Sequence, residues 1–142
     1  MIAVDTNILV YSIRREMEFY KPALRLLTQL GESTNPWAIP WPCVYEFLRV
    51  VTHPRVFNPP SSQEDAIRTL EELSASPSLA FIGAGSSHLG NLRTIAEQSG
   101  AKGNLFFDVH IAAICREHGI AEILTMDRDF SRFSGIKVRR PF

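Results

Sequence analysis

The chain has 142 residues, enough to bury a core of its own, and its 45% hydrophobic and 21% charged residues exclude a disordered chain. Fifteen basic and fifteen acidic side chains cancel, which excludes a generally basic nucleic-acid coat. Any nucleic-acid contact has to come from locally gathered arginines.

Short apolar runs alternate with longer amphipathic stretches, the pattern of a βα sandwich around a parallel sheet. Residues 1–4 read as a buried strand, followed by helices over about 7–14 and 20–30. Residues 38–41 form a second strand between Pro36 and Pro42, and Pro42 suits the first turn of a helix that ends by Thr52, before His53-Pro54. Ser61-Ser62-Gln63-Glu64 caps a helix reaching Leu73. A third strand covers 79–83, and a helix over 87–98 stops at Gly100. A last helix spans Asp108 to His118 with Gly119 as its stop. Strands at 123–125 and 136–138 enclose a short turn of helix whose phenylalanines, Phe130 and Phe133, are expected to pack together.

The whole chain, 1–142, reads as one domain. No apolar stretch approaches the ~20 residues of a membrane helix, and no basic leader precedes an apolar run, so a cytoplasmic protein is expected. Cys43 and Cys115 lie far apart in apolar helical stretches and read as small core residues.

Four acids stand where strands end or helices begin: Asp5, Glu46, Asp108 and Asp127. Each has a plain local role available. Asp5 and Asp108 suit helix caps, Asp127 suits a turn, and Glu46 points away from the Val44, Phe47, Leu48, Val51 stripe, as a solvated residue would. Together they map to the carboxyl edge of a parallel sheet, where open sheets bind their ligands. Carboxylates crowded into one cleft repel and call for a hard cation, Mg²⁺ or Mn²⁺. Such ions position the attacking water and the leaving oxygen of a phosphodiester, so metal-dependent phosphodiester hydrolysis is the expected chemistry. A phosphatase with Asp5 as nucleophile fits poorly, because Asn7 stands where a second acid is wanted. His53 and His110 lack any visible catalytic partner.

Several motifs then carry a resemblance: Val4-Asp5-Thr6-Asn7-Ile8-Leu9, a glutamate in the helix after the second strand, Asp108-x-x-Ile111-Ala112-Ala113, and Thr125-x-Asp127-x-Asp129-Phe130. In this order they resemble the PIN-domain ribonucleases, most closely the VapC toxins of bacterial toxin–antitoxin pairs. The stretch from Glu46 to Phe57 is similar to a segment of one VapC branch. The resemblance implies a three-layer α/β/α domain with a central parallel sheet of four to five strands and a Mg²⁺ or Mn²⁺ site. Asp5 and Asp108 would bind metal directly, while Glu46 and Asp127 would complete the site. Thr6 and Asn7 would support the first carboxylate, and Asp129 stands as an alternative to Asp127. Asn104, four residues before Asp108, replaces an acid of some relatives and leaves the number of ions open.

The resemblance further implies an endoribonuclease toxin that hydrolyses RNA with metal-activated water, a VapB-type antitoxin and a homodimer. Arg14, Arg15, His53, Arg55, Arg128 and Arg132 are the candidate phosphate contacts. Trp37 and Trp41 read as core or partner-facing. Ile13, Phe19, Leu26 and Leu30 offer either an apolar groove to an antitoxin segment or plain core. The alternative from another class is a catalytically silent PIN-like domain that binds RNA or protein without metal.

Overall fold

The computed structural model describes residues 1–142. Five short strands, β1 (Ile2–Val4), β2 (Trp37–Pro40), β3 (Leu79–Ile82), β4 (Glu122–Leu124) and β5 (Lys137–Arg139), form one parallel sheet in the order β3-β2-β1-β4-β5. Six helices flank it: α1 (Thr6–Ile13), α2 (Tyr20–Glu32), α3 (Trp41–Val51), α4 (Gln63–Ser74), α5 (His88–Ser99) and α6 (Leu105–Glu117). This is the expected three-layer α/β/α sandwich, with the sheet at the upper end of the expected strand count. No helix is long and apolar enough to cross a membrane.

The centre of the sheet is fully buried. Ala3, Val4, Trp37, Ala38, Ile39, Ile123 and Leu124 are within a few per cent of complete burial, as strands covered on both faces require. Phe47, Phe130 and Ile114 fill the layers between sheet and helices. Phe130 and Phe133 do pack together, edge to face at 5.8 Å between centroids. Both cysteines are buried and free, as small core residues.

The strand order sets the position of the functional edge. Successive connections lead from β1 to β2 and β3 on one side and to β4 and β5 on the other, so the order reverses between β1 and β4. A crevice opens at such a switch point, outside the carboxyl ends of the strands. Val4 pairs with Leu124, and the Asp5 N–H continues the ladder to the Leu124 carbonyl at 3.0 Å. Asp5 and Thr125 therefore leave the sheet side by side.

Two boundary differences bear on the site, the others being shifts of one or two residues. Trp41 belongs to α3 rather than to β2; Pro42 follows it in the first turn, where its missing N–H costs nothing. The indole is half exposed and stacks on Phe81 at 5.2 Å, whereas Trp37 is core. More consequentially, α6 starts at Leu105 behind Gly103 (φ 56°) and Asn104, so Asp108 is its fourth residue and not its opening one. A carboxylate at the cap would be taken up by backbone N–H groups; one turn further in it is free to face the cleft.

Arg14, just after α1, is a second difference in kind. Rather than lying open to phosphates, it is 9% exposed. Its guanidinium pairs with Glu16, donates to Ser61 Oγ (3.1 Å) and the Pro59 carbonyl (2.9 Å), and sits 4.1 Å from the Phe57 ring centroid. It clamps the segment between α3 and α4 against α1. Arg14→Ala is expected to lower stability by about 2 kcal/mol, and Arg14→Lys to recover little, because an ammonium has no planar fork to serve several acceptors while stacking on a ring. Urea melts of the two variants check this.

Candidate metal centre

Asp5 is the innermost acid, 4% exposed. It leaves β1 in extended geometry and caps α1, its Oδ1 accepting the Thr6 N–H at 2.7 Å. The cap role is therefore real, yet it occupies one oxygen only partly. Oδ2 accepts from the Asn7 amide at 2.8 Å and from the Thr125 hydroxyl at 2.6 Å, and the Cys43 thiol lies 3.6 Å from Oδ1. Burial raises the Asp5 pKa to about 6; the Thr125 and Thr6 hydrogen bonds pull it down, and the nearby Glu46 charge pushes it up again.

Thr125 stands in the motif that carries the resemblance, but sequence reasoning gave it no role in the site. Fully buried at the end of β4, its hydroxyl donates to Asp5 and accepts from the Asn7 amide (3.0 Å) and the Asp127 N–H (2.9 Å). One donor and two lone pairs are all in use. Asn7 closes the frame by accepting the Met126 N–H at 3.1 Å. This hydroxyl ties the edge of β1 to the edge of β4. Its signals in the sequence were its place at the end of an apolar strand and its position in the Thr125-x-Asp127-x-Asp129-Phe130 motif, neither of which assigned it a role.

Asp108 faces this frame from α6. Burial and the charges of Asp127, Asp5, Asp129 and Glu46, in that order, push its pKa to about 7. Carboxylate oxygens of Asp108, Asp127 and Asp129 all lie within 4.8 Å of one another. Asp127 also accepts the Asp129 N–H at 2.8 Å, folding the loop so that both carboxylates approach Asp108. The sequence posed Asp127 and Asp129 as alternatives, whereas the structure brings both together. Glu46, 45% exposed on α3, accepts from the Thr6 hydroxyl at 3.0 Å. Thr6 thus supports Asp5 through its N–H and Glu46 through its side chain.

Asp5, Glu46, Asp108 and Asp127 line one cleft, a cavity of about 310 Å³, and Asp129 approaches Asp108 and Asp127 without lining it. The Asp108, Asp127 and Asp129 triad and the cleft lining share Asp108 and Asp127. The cations nearest these acids are at the rim: Arg49 lies 3.8 Å from Glu46 and Arg132 3.8 Å from Asp129. A set of carboxylates without an internal cation, in which Asp5 and Asp108 are raised in pKa by burial first and by neighbouring negative charge second, fits a hard divalent ion.

The remaining predicted contacts vary. Arg15, Arg55 and Arg128 are exposed, and His53 is half-buried with Nδ1 accepting the Arg55 N–H at 3.0 Å. His110 is half-buried, edge-on to His88 at 5.1 Å. Asn104 is exposed ahead of α6 and makes no side-chain cap. Ile13, Leu26 and Leu30 pack on the core, and Phe19 lies between Tyr11 and Phe142. A separate cavity of about 400 Å³ between α1, α2 and α4 keeps Ile13 in its wall and adds Leu24, Leu27 and Leu73.

Both raised carboxyls hold their protons more tightly in the fold than in the unfolded chain. Their stabilising effect is complete at low pH and is lost as pH rises through the folded values. Metal-free protein is therefore expected to lose stability between about pH 5 and about pH 7. Glu16 and Glu117, whose pKa values are lowered, titrate below that window. Urea melts in EDTA across that range test the sign.

Residues 2–136 match the family model described as a PIN domain. Among curated relatives, Ribonuclease VapC43 of Mycobacterium tuberculosis is 35% identical over 141 residues, covering 99% of this chain and 95% of its own. Ribonuclease VapC48 of the same organism is 33% identical over 138 residues, covering 97% and 95%. The chain belongs to the PIN-domain family, in its VapC ribonuclease branch. Among solved structures it resembles VapBC2 from Rickettsia felis bound to a promoter DNA fragment (TM-score 0.63, 25% identity, 98% of each chain). It shares its fold with the Mycobacterium tuberculosis toxin VapC20, which cleaves the sarcin-ricin loop (TM-score 0.68, 14% identity, 96% and 98% coverage).

Proposed function

We propose that this chain is a single-domain, Mg²⁺- or Mn²⁺-dependent endoribonuclease, acting in the cytoplasm as the toxin of a toxin–antitoxin pair. The observation that carries the reading is the set of carboxylates at the β1/β4 switch point, crowded together without an internal cation. Membership of the VapC ribonucleases supports RNA as the substrate.

Asp5 and Asp108 would hold the ion directly and Glu46 and Asp127 would complete the site, with Asp129 close enough to Asp108 and Asp127 to join them. A divalent ion bound there supplies a polarised water and a counter-charge for the phosphodiester oxygens. The protein's own part is orientation. Thr125 and Asn7 fix Asp5, the Asp127 turn presents its carboxylate, and the Thr6 hydroxyl aims Glu46. Exposed Arg15, Arg55 and Arg128 flank segments of the cleft and would take neighbouring phosphates.

An antitoxin that blocks the cleft is the partner we assign, supported by structural neighbours that include a toxin–antitoxin complex from Klebsiella pneumoniae and two VapBC assemblies. The partly apolar cavity between α1, α2 and α4 is the surface we assign to it. A homodimer follows from the same family reading. The test is incubation of purified, partner-free protein with total RNA in Mg²⁺ or Mn²⁺ and in EDTA. Discrete fragments that need metal are the expected result. RNA left intact by folded protein under every condition would favour the silent binding domain.

A further inference from the structure

The cleft at the switch point has two unlike halves. One is the acid set described above. The other is apolar, walled by Val10, Tyr11, Met17, Val50, Val56 and Phe57. Metal-assisted hydrolysis makes no use of that second half. Its opening is confluent with the acids, so whatever occupies it lies beside the group being cut.

The geometry points to a nucleobase subsite: the apolar half of the cleft receives one unpaired base of the RNA, next to the scissile phosphate. This rests on the reading of the acid cleft as an RNA-cleaving centre. Three observations support it. The whole cavity is about 310 Å³, at the low end for small-molecule sites, and suits a flat ring system better than a run of peptide. Its walls combine the Tyr11 and Phe57 rings with aliphatic side chains, the surfaces on which unstacked bases lie. The Tyr11 phenol adds a group that can both donate to and accept from a base edge.

The pocket is also held ready. Phe57 sits in the segment joining α3 to α4, which would otherwise be a free surface loop. Arg14 packs on the Phe57 ring and bonds to Pro59 and Ser61, and the Ser61 N–H reaches the Val51 carbonyl at 2.8 Å. Tyr11 is braced edge-on by Phe19 at 5.4 Å, and Phe19 by Phe142. Fixing these rings before substrate arrives lowers the ordering cost of binding. The subsite would then select which base stands beside the cut.

The probes are homo-oligoribonucleotides of A, C, G or U and an abasic ribose-phosphate oligomer of equal length. Binding is measured in Mg²⁺ to the full chain carrying Asp108→Asn, and cleavage of the same oligomers separately with Asp108 present. At least one base-bearing oligomer is expected to bind about ten-fold more tightly than the abasic one. Phe57→Ala should close that gap. Val56→Trp should do the same by filling the cavity from a position already 51% exposed, where folding is not at risk. A gap that is absent, or that persists in both variants, overturns the subsite. So does unaltered RNA binding in variants that have escaped a protein inhibitor, since the cavity would then serve that protein. If the gap closes as expected while no RNA is ever cut, the subsite stands and the nuclease reading falls.

Discussion

Asp108→Asn is expected to reduce RNA cleavage by at least about 100-fold while making the metal-free protein more stable at neutral pH. The two effects have one cause. Asp108 is held at about 7 by burial and by like charge from Asp127, Asp5, Asp129 and Glu46, so at neutral pH its ionised form opposes the fold. A neutral amide of the same shape removes that repulsion and leaves α6 unaltered. It also removes a carboxylate from the triad, so the rise in melting temperature on adding Mg²⁺ or Mn²⁺ should shrink. Thermal melts with and without metal, beside an RNA cleavage assay, separate these effects. A variant that cuts RNA at the original rate would remove Asp108 from the site. One that melts lower in EDTA would remove the repulsion argument.

Thr125→Val is the second large effect. The hydroxyl is fully buried and serves three partners, so an isosteric apolar side chain leaves the Asn7 amide and the Asp127 N–H each short of an acceptor. Stability should fall by about 1–3 kcal/mol. Asp5 would lose the hydrogen bond that does most to hold its pKa down, and Asp127 the contact that sets its loop. Activity should drop by about 10–100-fold, the usual cost of removing a partner that orients metal ligands. The acid limb of the pH–rate profile should move upward. Thr125→Ser keeps the hydroxyl and should recover most of both losses. A merely structural role predicts lost stability with no change in the pH profile.

Thr125 also marks where the sequence stops being informative. The sheet, the helices and the acidic edge follow from short-range signals: apolar runs, caps, prolines and glycines at helix ends. Gly100 and Gly119, both left-handed just past a helix, are of this kind. Asp5, Glu46, Asp108 and Asp127 were legible because a parallel sheet brings strand ends to one edge whatever lies between them. Thr125 meets Asp5 and Asn7 across about 120 residues, and no local pattern announces that a hydroxyl has three partners.

Arg14 failed as a sequence inference for the same reason. It resembles any arginine after a helix, and its partners at Pro59 and Ser61 are more than 40 residues away. The start of α6 failed for a different one. Asp is a strong cap former, so Asp108 attracted the boundary, while Asn104 makes no side-chain cap and the exposed Phe106 and Phe107 give the first turn no inward stripe. That displacement of three residues leaves the carboxylate free of the helix end and open to an ion.

Anomalous diffraction from crystals soaked in Mn²⁺, at a concentration that supports RNA cleavage, addresses the central claim most directly. A peak in the cleft within bonding distance of Asp5 and Asp108 carboxylate oxygens is the predicted result. An empty cleft, or a peak only on a surface away from these acids, would contradict the assignment of this edge as the metal centre.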